Sequence, residues 1–475
     1  MLDNNEVTRP PVEVYPSWKQ QAEAYQFCEQ RNDKNMLAMD MGTGKSKVTI
    51  DRIQNSGYGM TIIICPPSVM GVWRREIERH WNTEKVAPPL VLILDRPRDT
   101  CKTKAAKVAK MSTATHAAQR IIVTNYQSAF REPLASALVA CRPTLVVCDE
   151  SHRIKSSSGK WSRYCHKLAS DKVPHRLALS GTPMAHSPLD LFGQFRFVDR
   201  NILGWSYTAF RSRFAVVNQM FPSQVMRWVN EDLLRDIFHQ HAYVCEAGEV
   251  LDLPGIIFDD RFCELSPASK RVYDDLRQRL ISEVRDSTIT VPNALVKVLR
   301  LQQVTSGFVS WKDDLDEDRV EVLGREKSQL LKDTLEDIDN PVVVFCRFTR
   351  DLAAVRKVAK SLGRRYGELS ARQRDLTPHA EMPNNIDVLG VQLQAGGEGI
   401  DLTRARYGIY YSMGFSLGDY KQSIARIYRP GQVHPVTIYH LLARGTVDEI
   451  VHKALHERQE VIDVIFKKII ETGGL

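Results

Sequence analysis

A chain of 475 residues is long enough for two or three domains, each with its own core, and its 43% hydrophobic and 26% charged residues are those of an ordinary globular protein. No apolar run approaches the roughly 20 residues of a membrane span, and the first residues lack the basic-then-apolar order of a signal peptide, so a cytoplasmic protein is expected, a nuclear one less so, and no membrane partner. The nine cysteines include no C-x-x-C pair, which argues against a disulfide framework or a zinc ribbon, while the net charge of +8 leans towards an anionic partner.

In chain order, a polar tail over 1–17 leads into a helix over Trp18–Glu29 that carries Gln20 and Gln21. The amide of Gln21 offers both a donor and an acceptor to an adenine edge, although a surface helix can carry the same residue. Next comes LAMDMGTGKS over Leu37–Ser46, with phosphate-loop spacing. In such a loop Gly42, Thr43 and Gly44 turn their main-chain N–H groups towards phosphate oxygens, Lys45 reaches the β and γ phosphates and Ser46 ligates magnesium. The helix Lys47–Gln54 then aims its positive N-terminal end at the same anion. Met39 stands where the first glycine is usual, so the loop by itself leaves a nucleotide-free glycine turn open.

Four apolar strands follow, each ending in polar residues: 61–65 in Pro66-Pro67-Ser68, 121–124 in Asn125-Tyr126, 145–148 in Asp149-Glu150-Ser151-His152, and 176–179 in Ser180-Gly181-Thr182-Pro183. Alternating with helices, one of which starts near Val72, they predict a parallel sheet with its site at the carboxyl edge. An apolar strand that delivers Asp-Glu fits a magnesium-binding Asp149 and a Glu150 that orients and polarises the attacking water. Ser68 and Asn125, at strand ends, are candidate nucleic-acid contacts. Lys104, Lys107 and Lys110 share a helical face in a stretch, Cys101–Arg120, that has no acid. A solvated face and a phosphate-contacting face both fit them. Cys141, Cys148, His152, Cys165 and His166 crowd one region, but Cys148 ends an apolar strand, where a thiol is a small hydrophobe, and the plain packing reading is preferred to a metal site.

The alternation stops over 197–324, where Ser266–Val284 and Asn293–Gln303 read as amphipathic helices and Asp313–Glu321 as an acidic, solvated loop. It resumes with strands 342–346, 386–391, 407–411 and 436–440 and helices 351–362 and 420–428, a second α/β lobe without a glycine-lysine loop and so without its own nucleotide. Arg426 and Arg429, three apart on the last of these helices, are either surface residues or arginine fingers. The fold class expected is α/β: a first lobe over 18–199, helical protrusions and a linker over 200–326, and a second lobe with a C-terminal helix over 327–475.

LAMDMGTGKS, IIICPPSVMGVWRREIERHW, IIVTNYQS, LVVCDESHRIKS, LALSGTP, VVVFCRFTRDL, VQLQAGGEGIDLTRARYGIYY and QSIARIYRPGQ together resemble the motifs of superfamily-two helicase motors, most closely the Swi/Snf-type DNA-translocating ATPases, over roughly Trp18–Glu460. The resemblance implies two RecA-like lobes with ATP in the cleft and DNA across them. It implies adenine recognition by Gln21, phosphate binding by Gly44 and Lys45, and magnesium at Ser46 and Asp149. Water activation falls to Glu150, and coupling between ATP and DNA to His152 and the turn carrying Ser180 and Thr182. Arg426 and Arg429 stabilise the γ-phosphate, Gly397 and Gly399 sit in a loop facing both ligands, and Gln422 opens the arginine helix. Departures from the family pattern are Ser151 for alanine, Tyr428 for histidine, and Gln392-Leu393 for a Ser-Thr pair that touches a DNA phosphate. An ATP-driven translocase on double-stranded DNA is therefore expected. The alternatives are a strand-separating DNA or RNA helicase and an ATP-gated nucleic-acid clamp. With no appended module recognised, a bare monomeric motor of bacterial or viral type, directed by a protein partner, is the expectation.

Overall fold

The structure, a computed structural model, describes residues 17–96, 98–114, 117–169, 172–184, 187–217, 225–250, 253–285, 291–312, 318–376, 381–393, 400–457, 461, 464 and 465. It divides into two compact units, Met1–Asp252 and Leu253–Leu475.

The strands of the first unit are β1 (Lys34–Met39), β2 (Met60–Cys65), β3 (Leu90–Ile93), β4 (Arg120–Asn125), β5 (Leu145–Asp149), β6 (His175–Ser180), β7 (Ala215–Val217), β8 (Val225–Trp228) and β9 (Ala242–Cys245). Seven of them form a parallel sheet in the order β3-β4-β2-β5-β6-β1-β9, while β7 and β8 pair as a separate antiparallel ribbon. Runs such as Thr61-Ile62-Ile63-Ile64-Cys65 and Leu145-Val146-Val147-Cys148 are buried throughout, as expected of strands covered by helices on both faces. Their side chains merge with those of the helices Met70–His80 and Leu191–Val198 into one core.

The second unit contributes β10 (Ile256–Cys263), β11 (Phe308–Lys312), β12 (Asp318–Val322), β13 (Val342–Cys346), β14 (Tyr366–Leu369), β15 (Val388–Gln392), β16 (Tyr407–Tyr410) and β17 (Val436–Ala443). Six form a parallel sheet in the order β10-β17-β16-β13-β15-β14, and β11 with β12 makes a hairpin. Apolar side chains pack on both faces of this sheet. Each sheet is the parallel, helix-covered core of a RecA-like lobe.

The segment between the two expected lobes contributes strands to both sheets. The segment 200–326 is not a body apart, because β9 adds an edge strand to the first sheet beside β1 and β10 adds one to the second beside β17. The unit boundary falls inside that segment, at Asp252/Leu253. The acidic stretch 313–321 includes strand residues from Asp318 onward, paired antiparallel with 308–312.

Candidate nucleotide site

The phosphate loop leaves β1 and enters the helix Lys45–Ser56 with Gly42 at φ 84° and Gly44 at φ 98°, backbone conformations that favour glycine. A Cβ on Gly44 would stand 2.1 Å from Nε2 of Gln21. Gln21 lies against the loop: its Nε2 donates to the Thr43 carbonyl at 3.4 Å, and its Oε1 accepts from the Trp18 N–H at 3.0 Å. The Thr43 hydroxyl donates back to the Asp40 carbonyl at 2.7 Å, closing the turn. Lys45 Nζ donates to the carbonyls of Met39 and Asp40 at 2.7 and 3.1 Å, and half-buried Ser46 sits beside it in the first helical turn. β9 braces the loop from outside, the Asp40 N–H donating to the Cys245 carbonyl and the Asp40 carboxylate accepting from the Ala247 N–H.

Asp149 ends β5, two strands from β1 in the same sheet. Its carboxylate accepts from the indole N–H of Trp73 at 2.8 Å, and its carbonyl accepts from the Tyr126 hydroxyl at 2.8 Å. Burial, then the neighbouring Glu150 charge, push the Asp149 carboxyl up to about 6, opposed by the Trp73 hydrogen bond and the Lys45 charge. Lys45 and Asp149 are thus electrostatic neighbours, and a carboxylate so desolvated is one that a cation would hold ionised. Glu150 is in the left-handed region at φ 53°, a strained position for a non-glycine residue. From there Glu150 Oε2 lies 3.3 Å from His152 Nδ1, which in turn lies 3.4 Å from the Ser180 hydroxyl at the end of β6. The Ser180 hydroxyl accepts from the Thr182 N–H at 3.1 Å, so a polar chain joins the ends of β5 and β6.

Three supporting residues went unassigned in the sequence. Trp73 and Tyr126 fix Asp149 from two sides. Gln194, fully buried on the helix Leu191–Val198, accepts from the Ser151 hydroxyl at 2.8 Å and donates to the Pro183 carbonyl at 2.6 Å, tying the acidic turn to the Ser180–Pro183 turn. Trp73 lies within a quoted motif, but only the fold shows that its indole reaches β5.

Several expected nucleic-acid contacts are used otherwise. Lys104 is buried with Nζ 3.4 Å from the Ser128 hydroxyl, and Lys107 pairs at 3.0 Å with Asp99, an acid that precedes the stretch Cys101–Arg120. Only Lys110 of that face is exposed. Asn125 is buried and caps the short helix Tyr126–Ala129 by accepting from the Ser128 N–H. Ser68 is half-buried in the turn Pro67–Val69. The crowded cysteines and histidines do not converge on a metal position: Cys148 and Cys165 are buried, with the Cys148 thiol pushed well up by burial, and His166 Nδ1 lies against the Arg196 carbonyl.

In the second unit, Arg426 and Arg429 do not share a helix. The helix Leu417–Ile427 ends before Arg429, because Pro430 disfavours helical angles at the residue preceding it. Arg426 is buried in the last turn, whereas Arg429 lies beyond the end, 3.8 Å from Asp401. Gln422 is half-buried midway along that helix rather than at its opening, and Gly397 and Gly399 lie outside the described residues.

A phosphate loop after one strand, an acidic pair at the end of another and a polar relay to a third, all at the carboxyl edge of a parallel sheet, define a P-loop unit; with a second parallel α/β unit it makes a protein of two RecA-like lobes. The family model for the SNF2-related domain matches residues 20–307 and that for the helicase conserved C-terminal domain matches 326–431. The chain belongs to the SNF2-related family.

A putative ATP-dependent helicase/translocase of Bacillus subtilis, YwqA, is 27% identical over 96% of this chain and 50% of its own length. The chromodomain-helicase-DNA-binding protein 1-like of Danio rerio is 23% identical over 93% of this chain and 43% of its own. This chain thus spans about half the length of these relatives or less. The SWI2/SNF2 ATPase core of Sulfolobus solfataricus, solved in complex with dsDNA, aligns over 98% of this chain and 96% of its own at 21% identity and a TM-score of 0.43.

Proposed function

We propose that the chain is an ATP-hydrolysing motor that moves along double-stranded DNA. The observation that carries this reading is the convergence, on one sheet edge of a SNF2-related chain, of a phosphate loop gripped by Gln21, a buried Asp149 held by Trp73, and a strained Glu150 wired through His152 to the Ser180 turn.

Gln21 would read the adenine, the N–H groups of Gly42, Thr43 and Gly44 would hold the phosphates with Lys45, and Ser46 and Asp149 would hold magnesium, which would supply charge neutralisation to the phosphates. The cradle fits this ligand: there is no room for a Cβ on Gly44, and the desolvated Asp149 wants a positive partner. Glu150 positions the attacking water, and the link from Glu150 through His152 to Ser180 and Thr182 reports the state of the nucleotide to the next strand end. Arg426 and Arg429 add positive charge to the transferring phosphoryl group.

The experiment is the steady-state ATPase rate of the chain alone, with single-stranded DNA, with RNA, and with duplex DNA of several lengths. Stimulation by duplex that grows with length until the track exceeds the run is the expected result. Stimulation by single strands or RNA alone would replace it with the strand-separating helicase, and a rate indifferent to nucleic acid with the switching clamp.

A further inference from the structure

The second unit carries a constellation that ATP chemistry does not use. On β17, His440 is fully buried; on the helix Val447–His456 that follows, His452 and His456 are four residues apart and so share a face. Among the described residues these three imidazoles form the one group whose metal-ligating atoms converge, all within 4.8 Å of one another. Their ring centroids are 4.4 Å apart for His440 and His452, 4.6 Å for His452 and His456, and 5.8 Å for His440 and His456.

A fourth donor belongs to the set. Asp260 lies opposite His440 in the β10–β17 register, and its Oδ1 is 3.0 Å from His440 Nδ1 and 3.2 Å from His452 Nε2. Those separations are close to the edge, about 3.3 Å, of a tetrahedron with metal–ligand bonds of roughly 2.0–2.1 Å. The other nitrogen of His440, Nε2, lies 2.9 Å from the Tyr420 hydroxyl. With Nε2–H donating to that oxygen, the Nδ1 lone pair faces Asp260, an outer-shell arrangement of the kind that orients metal-bound histidine. Exposed His456 can swing through the remaining distance and gives an ion its way in from solvent.

We infer that His440, His452, His456 and Asp260 form a site for one divalent transition-metal cation of the zinc type. Three imidazoles and one carboxylate, with the two Asp260–histidine separations matching a tetrahedral edge, suit zinc, whereas magnesium and calcium prefer oxygen donors. Bound there, the ion pins the helix Val447–His456 to β17 and to the edge strand β10, a structural cross-link within the second unit, independent of the nucleotide.

The test is titration of the chelator-treated full chain with cobalt(II), read by the visible bands of tetrahedral coordination, followed by competition with zinc. One equivalent per chain is expected, displaced by zinc, with a higher melting temperature in zinc. His456→Ala changes an exposed residue and leaves folding intact; it should weaken binding at least a hundredfold, and Tyr420→Phe, which removes only the orienting hydroxyl, by about tenfold. Absence of tetrahedral bands in the parent chain, or binding of equal strength in a His452→Ala, His456→Ala chain, would overturn the site.

Discussion

Trp73 shows how much of the proposed site depends on a side chain that touches no ligand. Its indole N–H is a donor that lowers the cost of a desolvated Asp149, acting with the Lys45 charge and the Glu150 N–H and against the neighbouring Glu150 charge. Removing a hydrogen bond to a buried charge costs about 1.5–3 kcal/mol, and outer-shell partners of a metal ligand are worth about tenfold to a hundredfold in affinity. Trp73→Phe is therefore expected to raise the magnesium concentration for half-maximal ATPase by about tenfold at saturating ATP. Trp81→Phe, which removes an indole that donates instead to the carbonyls of Val86 and Ala87, should leave the magnesium curve in place. A loss of stability in both variants with unchanged magnesium curves would reduce Trp73 to packing.

A second buried carboxylate makes a prediction about pH. Asp351 caps the helix Thr349–Ser361, accepting from the Phe348 N–H and the Ser412 hydroxyl, and burial pushes its carboxyl up to about 6. A carboxyl raised from its unfolded value near 4 binds its proton more tightly when folded. Its contribution is full below about pH 4 and is lost as the pH rises through about 6. The span corresponds to about 3 kcal/mol at most. Asp351→Asn keeps an acceptor for the cap without the charge. Urea unfolding of the second unit at pH 4.5 and pH 7 should show the parent losing ground to the variant across that interval, and parallel profiles would contradict it.

At the scale of elements, the helix Leu191–Val198 is packed so closely on the acidic turn that one methyl group is excluded. A Cβ on Gly193 would lie 2.3 Å from the Ile154 carbonyl oxygen and 2.4 Å from that of Lys155, both backbone atoms that cannot rotate away. Alanine normally stabilises a helix by about 1 kcal/mol over glycine. Here the forced backbone shift, at about 1–3 kcal/mol, outweighs that gain. Gly193→Ala should lower the melting temperature and, by moving the turn that holds Glu150 and His152, reduce ATP turnover; a stabilised, fully active variant would show that the helix slides freely.

The lysine helix shows the limit of reading charge from spacing. The i, i+3 pattern does place the lysines on the helix Cys101–Ser112, but that face partly turns inward, so Lys104 is buried and Lys107 is neutralised by Asp99. Charge-to-Gln substitution of both should leave the slope of log DNA affinity against log salt unchanged. Lys110→Gln can flatten it by about one unit at most, where three free lysines would give about three. A drop of three units would put the whole face on the phosphate backbone. Elsewhere the apolar strands 61–65, 145–149 and 342–346 were legible because each is buried on both faces and reads as an unbroken hydrophobic run. The edge strands β9 and β10 were not, since Ala242–Cys245 is only four residues long, Ile256–Cys263 mixes charged with apolar residues, and both take their place only through pairing with β1 and β17. The side chains proposed to carry the chemistry lie in local motifs; Trp73, Gln194 and the histidine cluster depend on contacts across 76, 43 and up to 180 positions of chain, which local pattern does not carry.

For the whole molecule, the proposed motor assigns binding and turnover to differently equipped units. Everything proposed to hold ATP lies before Asp252, while Arg426 belongs to the unit with no glycine-lysine loop. If Arg426 acts on charge that develops only as the phosphoryl group transfers, its loss must appear in kcat and not in ATP affinity. Arg426 is buried, so truncation to alanine would confuse folding with catalysis. Arg426→Lys keeps the positive charge and most of the volume but loses the planar fork that engages two oxygens at once. An arginine finger is worth about 10³–10⁵ in rate. The lysine variant should thus lose at least a hundredfold in DNA-stimulated kcat with ATP affinity changed less than threefold and the melting temperature held. A variant that melts early yet turns over normally per folded molecule would make Arg426 a brace of the second unit, and would leave Arg429, outside the helix and beside Asp401, as the remaining arginine to test in the same way.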